Sequence, residues 1–352
     1  MISKRTKYFT GIAILVFLLG VYAFYKESQK IEKITPLGLF ISQWTLLKNP
    51  SLDRIGPSSK KLKPEDAKIL VLQLKDSDGL IPFKSKVAKR YGIENTTATF
   101  DLKTLVTDLK SRGFYVIAYL QVFKDKAFAE RFPTEAIKSQ DGNIFRDKFG
   151  AFVDPSSKKY HKYFRELSDE VIESAFDELM LDYIRFPEYL ELTFPLSKDA
   201  DDATKDSIIA NFVGQLRQNL APKTALSAAL FLPGLTVGQN YSLLCDKLNI
   251  ITPMIYPSSF TSRNAAGQEW IDAFDIHFKS FETLSSDCIR KVRPFLQAFI
   301  YEVDKEGGRP VKSGPLPDKL MKHQLLKTRE AGMTPILFNS GSKYESVWQI
   351  FR

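Results

Sequence analysis

Asp182 carries the strongest chemical signal in the sequence, because it stands in an otherwise apolar run and is followed at once by Tyr183 and Arg185. An acid in such a run is costly to bury unless it is partnered, and burial is what moves a carboxyl toward the range where it can trade protons. Asp76, within Lys-Asp-Ser-Asp-Gly, and Glu302, which opens a charged loop, are the other acids placed to take part. Paired carboxyl groups can share acid and base work, and Asp182, Glu302 and Asp76 are the catalytic candidates for it. Tyr119, Lys124, Phe145, Arg146, Asp154, Tyr183, Arg185, Tyr256 and Gln297 are the binding candidates. Carboxylates, amides and cations pair with sugar hydroxyls, and aromatic faces stack on the apolar side of the ring. Asp76, Asp78 and Asp182 converging on Mg²⁺ or Ca²⁺ is the lesser alternative. Each acid also has a plainer use: Asp182 as the ion partner of Arg185, Asp76 and Asp78 as turn formers, Glu302 as a solvated loop residue.

Such groups need a scaffold that brings distant segments to one rim. Apolar, β-rich runs occur over 37–42, 69–74, 115–122, 179–184, 225–231, 248–256, 294–301 and 335–339. Helical patterns stand between most of them, over 102–111, 158–174, 204–219, 239–245, 269–283 and 318–331. Gly113 and Gly332 fall where a helix hands over to a strand. Eight alternating units predict an α/β fold, the (β/α)8 TIM barrel, with active groups at the C-terminal ends of its strands. The first unit is expected to be irregular, since 48–63 is rich in Pro, Ser and Lys and lacks a helical period. The segment of about 35 residues after the third strand has no strong periodicity and is expected to form a lid.

Composition excludes several classes. The chain has 352 residues, 44% of them hydrophobic, enough for a large core. Its three histidines and two cysteines fall in no zinc-like spacing, and neither a G-x-G-x-x-G fingerprint nor a P-loop occurs, so no cofactor and no metal is expected. The net charge of +9 is spread without a basic block, which argues against nucleic acid as a partner. Cys245 and Cys288 stand beside apolar neighbours, which favours two buried free thiols over a disulfide.

The first 25 residues predict a transmembrane anchor. Lys4, Arg5 and Lys7 precede an uncharged run over 8–25, close to the length that spans a bilayer core. The charge asymmetry keeps the N-terminus in the cytoplasm and places the bulk outside it. The expected organisation is an anchor over 1–25, a stem over 26–36 and the barrel over 37–352. The expected partners are the membrane, through that helix, and a polysaccharide or other glycan of the cell envelope.

The segment 176–187 (Phe-Asp-Glu-Leu-Met-Leu-Asp-Tyr-Ile-Arg-Phe-Pro) resembles the signature of a bacterial family of glycoside hydrolase-like domains, otherwise of unknown function. Further matching pieces follow the family's order: Phe123-Lys-Asp125, Phe132-Pro133, Asp141-Gly142, Phe145-Arg-Asp147, Gly150, Val153-Asp-Pro155, Gly238-Gln239, 252–258, 293–297 and Gln324 through Gly332. The resemblance runs from about residue 66 to Tyr344. It implies a glycosidase-type barrel, usually outside the cytoplasm, that acts on or binds polysaccharide. Gln73, Ala229 and Ala298 stand where the family tends to carry Asp, and Phe145, Phe152, Phe295 and Phe338 stand where it tends to carry Trp. The lost carboxylates make a catalytically degenerate glycan-binding protein, or an envelope scaffold, the alternative to a hydrolase.

Overall fold

Eight strands close into one parallel barrel: β1 (Gly38–Ile41), β2 (Ile69–Lys75), β3 (Tyr115–Gln121), β4 (Glu178–Asp182), β5 (Ala225–Leu230), β6 (Ile250–Ile255), β7 (Phe295–Gln297) and β8 (Ile336–Phe338). They neighbour one another in chain order, and β8 pairs with β1 to close the ring. Each lies within or overlaps one of the apolar runs of the sequence. The computed structural model describes residues 37–93, 100–189, 191–198, 200–259, 268–303, 310–314 and 316–350, with the backbone alone for 300–303 and 310–314. The predicted anchor and stem lie outside the described residues. Among those described, no helix is long and apolar enough to cross a membrane.

The strands read as near-continuous apolar runs because both faces are covered. One face fills the barrel: Phe40, Val71, Ile117, Met180, Ala229, Phe295 and Ile336 meet there. The alternate residues, such as Leu70, Leu72, Val116, Ala118, Leu179 and Leu181, point outward into the core beneath the helices. At the N-terminal end of the barrel Glu178 is fully buried and accepts from Arg293, from Ser227 and, at 3.1 Å, from the Tyr115 hydroxyl. That buried charge is compensated by three donors, as burial requires.

The helices are α1 (Gln43–Lys48), α2 (Lys86–Tyr91), α3 (Leu102–Ser111), α4 (Lys126–Arg131), α5 (Lys158–Ile172), α6 (Asp202–Asn219), α7 (Tyr241–Cys245), α8 (Gln268–Lys279), α9 (Ser286–Ile289), α10 (Asp318–Glu330) and α11 (Glu345–Ile350). Side-chain caps start several of them: Asp101, Ser157, Asp201 and Asn240 each accept from a backbone N–H in the first turn. In α3 the buried positions Leu102, Leu105, Val106 and Leu109 follow the spacing of a single helical face.

The first unit is irregular, as its composition suggests. After the short α1 the chain runs without a helix of barrel length, and α11 packs against residues 57–59 instead. The Trp348 indole N–H donates to the Ile55 carbonyl at 2.8 Å, and the Tyr344 hydroxyl donates to Phe40 of β1 at 2.6 Å.

One expectation is corrected. Cys245 and Cys288 form a disulfide, with Cα atoms 5.6 Å apart. The cysteines end α7 and sit in α9, two short helices that touch on the outside of the barrel. Apolar neighbours argued for free thiols, but pairing depends on the separation of two Cα atoms, and this one lies in the range a disulfide needs.

Candidate active site

At the C-terminal end of β4 the chain turns sharply. Tyr183 adopts φ 50°, a left-handed conformation that costs a residue with a Cβ roughly 1–3 kcal/mol and recurs at functional sites. The turn aims the Tyr183 N–H back at Asp182, whose Oδ1 accepts it at 2.7 Å. Asp182 Oδ2 accepts from the Tyr119 hydroxyl, on the neighbouring strand. Only 5% of Asp182 is exposed, and burial pushes its carboxyl above the usual carboxylate range. The two donors, and the positive charges of Arg185 and Lys124, pull the other way. Tyr119 is itself buried, and burial together with the Asp182 charge drives its hydroxyl well above the ordinary tyrosine value, so it remains a donor.

Beneath this pair lies a plug of rings. Tyr119 meets Phe40 edge-on at 5.2 Å and Phe295 at 6.5 Å, while Phe338 packs on Phe40 and lies stacked with Tyr256 at 5.4 Å. The plug closes the barrel below Asp182. Ala229 faces this interior, so an acid there would stand among aromatic rings. Gln73 also stands at the mouth end, where its Oε1 accepts the Gln43 backbone N–H at 3.2 Å. Ala298 belongs to the outer core.

The expected lid is a folded excursion rather than a loose loop. A two-stranded hairpin pairs Arg146 and Asp147 with Ala151 and Gly150, and Lys124 bridges across to Phe152. Gly150 (φ 141°) allows the hairpin to pass close to the loop after β2, since a Cβ there would lie 2.9 Å from the Ser77 carbonyl. The hairpin carries Asp147 onto Lys124, with Oδ2 at 2.6 Å from the buried ammonium. Lys124 Nζ lies 5.0–5.2 Å from the ring centres of Phe149, Phe152 and Tyr183, a cage suited to a cation. Burial lowers its pKa, against the pull of Asp147. Arg185 lies over Phe231 at 4.4 Å and over Tyr183 at 4.9 Å. Among the described residues no salt bridge joins Arg185 to Asp182, whose hydrogen bonds come from Tyr119 and Tyr183, while the Arg185 charge acts on it without a direct bridge.

The candidates therefore separate. Tyr119, Lys124, Tyr183 and Arg185 gather around Asp182, with Phe145 at the margin, 6.4 Å from Phe152. Gln297 ends β7 and Tyr256 directly follows β6 at the same end of the barrel. Gln297 is occupied in shaping the next turn, since its amide holds both Ser258 and the Phe299 carbonyl. Asp76 organises its own loop by accepting from the backbones of Asp78 and Leu80 and from the Gln43 side chain, and burial raises its carboxyl. Arg146 pairs with Glu130 of α4 at 2.6 Å, both side chains half exposed. Asp154 is fully buried, with both oxygens taken by the backbones of Ser156, Leu196 and Ser197 and by the Ser197 hydroxyl, because it knots two loops together. Glu302 lies on a second hairpin (Ile300–Val303 with Pro310–Gly314), and its side chain is outside the described part of the structure. Among the described residues no cluster of three or more acid, histidine or cysteine side chains could hold a metal, so Asp76, Asp78 and Asp182 do not converge on one.

Four residues were missed by sequence reasoning. Asp147 reaches the site only through the hairpin. Trp44, Phe149 and Tyr189 are half exposed, at 53%, 50% and 50%, on segments that follow β1, β3 and β4 at the same end of the barrel. Their spacing gave no signal. Exposure of three large aromatics around one rim emerges only when the strands are arranged.

Solved structures bear out the barrel. A chitinase from Bacteroides thetaiotaomicron is 10% identical with a TM-score of 0.54 over 90% of this chain and 94% of that one. The Ostrinia furnacalis Group IV chitinase is 9% identical with a TM-score of 0.50, covering 88% and 94%. At these identities the likeness concerns the fold. A hypothetical protein from Ruminiclostridium thermocellum is 26% identical over 54% of this chain and 96% of its own, with a TM-score of 0.45. Among curated proteins, none matches significantly. Residues 38–344, from the first strand to the tyrosine that locks the C-terminus onto it, match one family along their whole length, and the chain belongs to that family, described as "Putative glycosyl hydrolase domain".

Proposed function

We propose that the protein hydrolyses a glycan of the cell envelope, with Asp182 as the proton donor to the leaving oxygen. The observation that carries this reading is the environment of Asp182: a carboxyl at the mouth of the barrel, raised by burial, oriented by Tyr119 and Tyr183 and flanked by two cations. A raised carboxyl keeps its proton nearer to neutral pH, which suits a general acid, and the cations would stabilise the carboxylate left after transfer. Asp147 is the acid that the hairpin adds to this group, held by Lys124 and by the Phe149 N–H at 2.8 Å, and it takes the second role of activating water or attacking carbon. Trp44, Phe149 and Tyr189 offer stacking faces for successive sugar rings.

The uncharged run over 8–25 would hold this barrel at the outer face of the membrane. The disulfide supports that placement, since such bonds persist in oxidising compartments. The second reading is glycan binding without hydrolysis, favoured by Ala229 inside the barrel and by the ring plug, which leave fewer acids at the mouth.

Release of reducing ends from envelope polysaccharides, compared between the wild type and Asp182→Asn, tests the proposal. Turnover that is lost in the variant, with binding retained, supports hydrolysis. Polysaccharide bound equally by both proteins with no release by either leaves binding alone. Release undiminished in Asp182→Asn would remove Asp182 from the chemistry.

A further inference from the structure

On the flank of the barrel a concave groove of about 590 Å³ runs between α5 and α6. One wall carries Lys158, Lys162 and Arg165, successive on one face of α5 and all exposed. The opposite wall carries Asn211, Gln215 and Asn219 from α6, at the same kind of spacing. Ile208, Phe212 and Leu216 supply an apolar floor between them. Among the described residues no acid lines the groove and none of the three cations enters a salt bridge; Arg165 acts at a distance on Asp169, one turn further along α5. His161, partly buried at the floor, is held through Nε2–H by the Pro155 carbonyl at 2.6 Å.

We infer that this groove is a second binding site, for an anionic polysaccharide of the uronic acid type, which it feeds toward the barrel mouth. Cations on one wall meet repeated carboxylates, amides on the other pair with hydroxyls, and the apolar floor receives ring faces. The three cations cover about 10 Å of helix, the scale of a disaccharide. A lone phosphate or sulfate would use one end of such a row and leave the amide wall idle. Ser156, in the loop that Asp154 knots at the N-terminal end of α5, lines the end of the groove that lies toward the mouth. This deepens the proposed function by naming a substrate class with acidic sugars, and it rests on the mouth being a glycan site.

The test uses the full chain in detergent and immobilised polygalacturonate. The wild type should be retained, more weakly as salt is raised, and Lys162→Glu/Arg165→Glu should lose about tenfold in affinity at low ionic strength with an unchanged melting temperature. Should that variant fold poorly, Lys162→Gln/Arg165→Gln is read in its place, with a smaller loss expected. Asp182→Asn should keep the retention, which separates failure of the hydrolase reading from failure of this one. Undiminished affinity in the charge variants would overturn the inference, as would groove-dependent binding to phosphatidylglycerol vesicles without binding to polygalacturonate.

Discussion

Tyr119→Phe isolates the control of the Asp182 proton. The ring contacts of Tyr119 with Phe40 and Phe295 survive in phenylalanine, so the substitution removes one hydroxyl and opens no cavity. It deletes a donor to a carboxylate that is 5% exposed, and a hydrogen bond to a charged group is worth about 1.5–3 kcal/mol. At 1.36 kcal/mol per pKa unit, the Asp182 pKa should rise by about one to two units. The direction follows from the loss falling mainly on the ionised form. A carboxyl whose pKa is raised on folding contributes stability that is fully present below its unfolded value, near 4, and that fades as pH rises through the folded value. The variant should therefore differ little from the wild type in acid and lose most at neutral pH. Titration of ¹³C-labelled aspartate carboxyls by NMR reads the pKa directly, and urea unfolding at acid and neutral pH reads the linkage. Where hydrolysis is measured, the alkaline limb of the rate profile should move to higher pH by the same interval, because the protonated acid is the active form. A pKa that stays in place or falls would refute the assignment of Tyr119 as donor to the ionised carboxylate.

Two further predictions concern the frame that carries the site. Arg293→Met should destabilise the protein by about 3–5 kcal/mol in urea unfolding, because it strands the buried Glu178 charge, and adding Glu178→Gln should recover part of the loss; an additive double mutant would contradict the pairing. Replacing Cys245 and Cys288 by serine should cost up to about 4 kcal/mol, given the 43-residue separation of the bridge, and alkylation of the wild type without reductant should label neither thiol; two labelled thiols would refute the bond and weaken the extracytoplasmic placement.

The eight strands were legible in the sequence because a parallel barrel covered on both faces demands uninterrupted apolar runs, and such runs are local. Asp182 was legible for the same reason, as the one acid inside such a run, and the irregular first unit showed in its Pro, Ser and Lys content. What depended on contacts between distant segments was not legible. Asp147 reaches Lys124 only because Gly150 lets a hairpin pass the loop after β2, and nothing in the spacing of residues 124 and 147 announces it. Asp154, which resembled a site acid, proves to be a knot between two loops, since its partners Leu196 and Ser197 lie more than forty residues away. The disulfide and the aromatic rim of Trp44, Phe149 and Tyr189 have the same origin. Local periodicity determines which segments become strands and which face each residue takes, whereas the partner that a polar side chain finds is decided by ring closure, which brings the ends of eight separate strands to a single mouth.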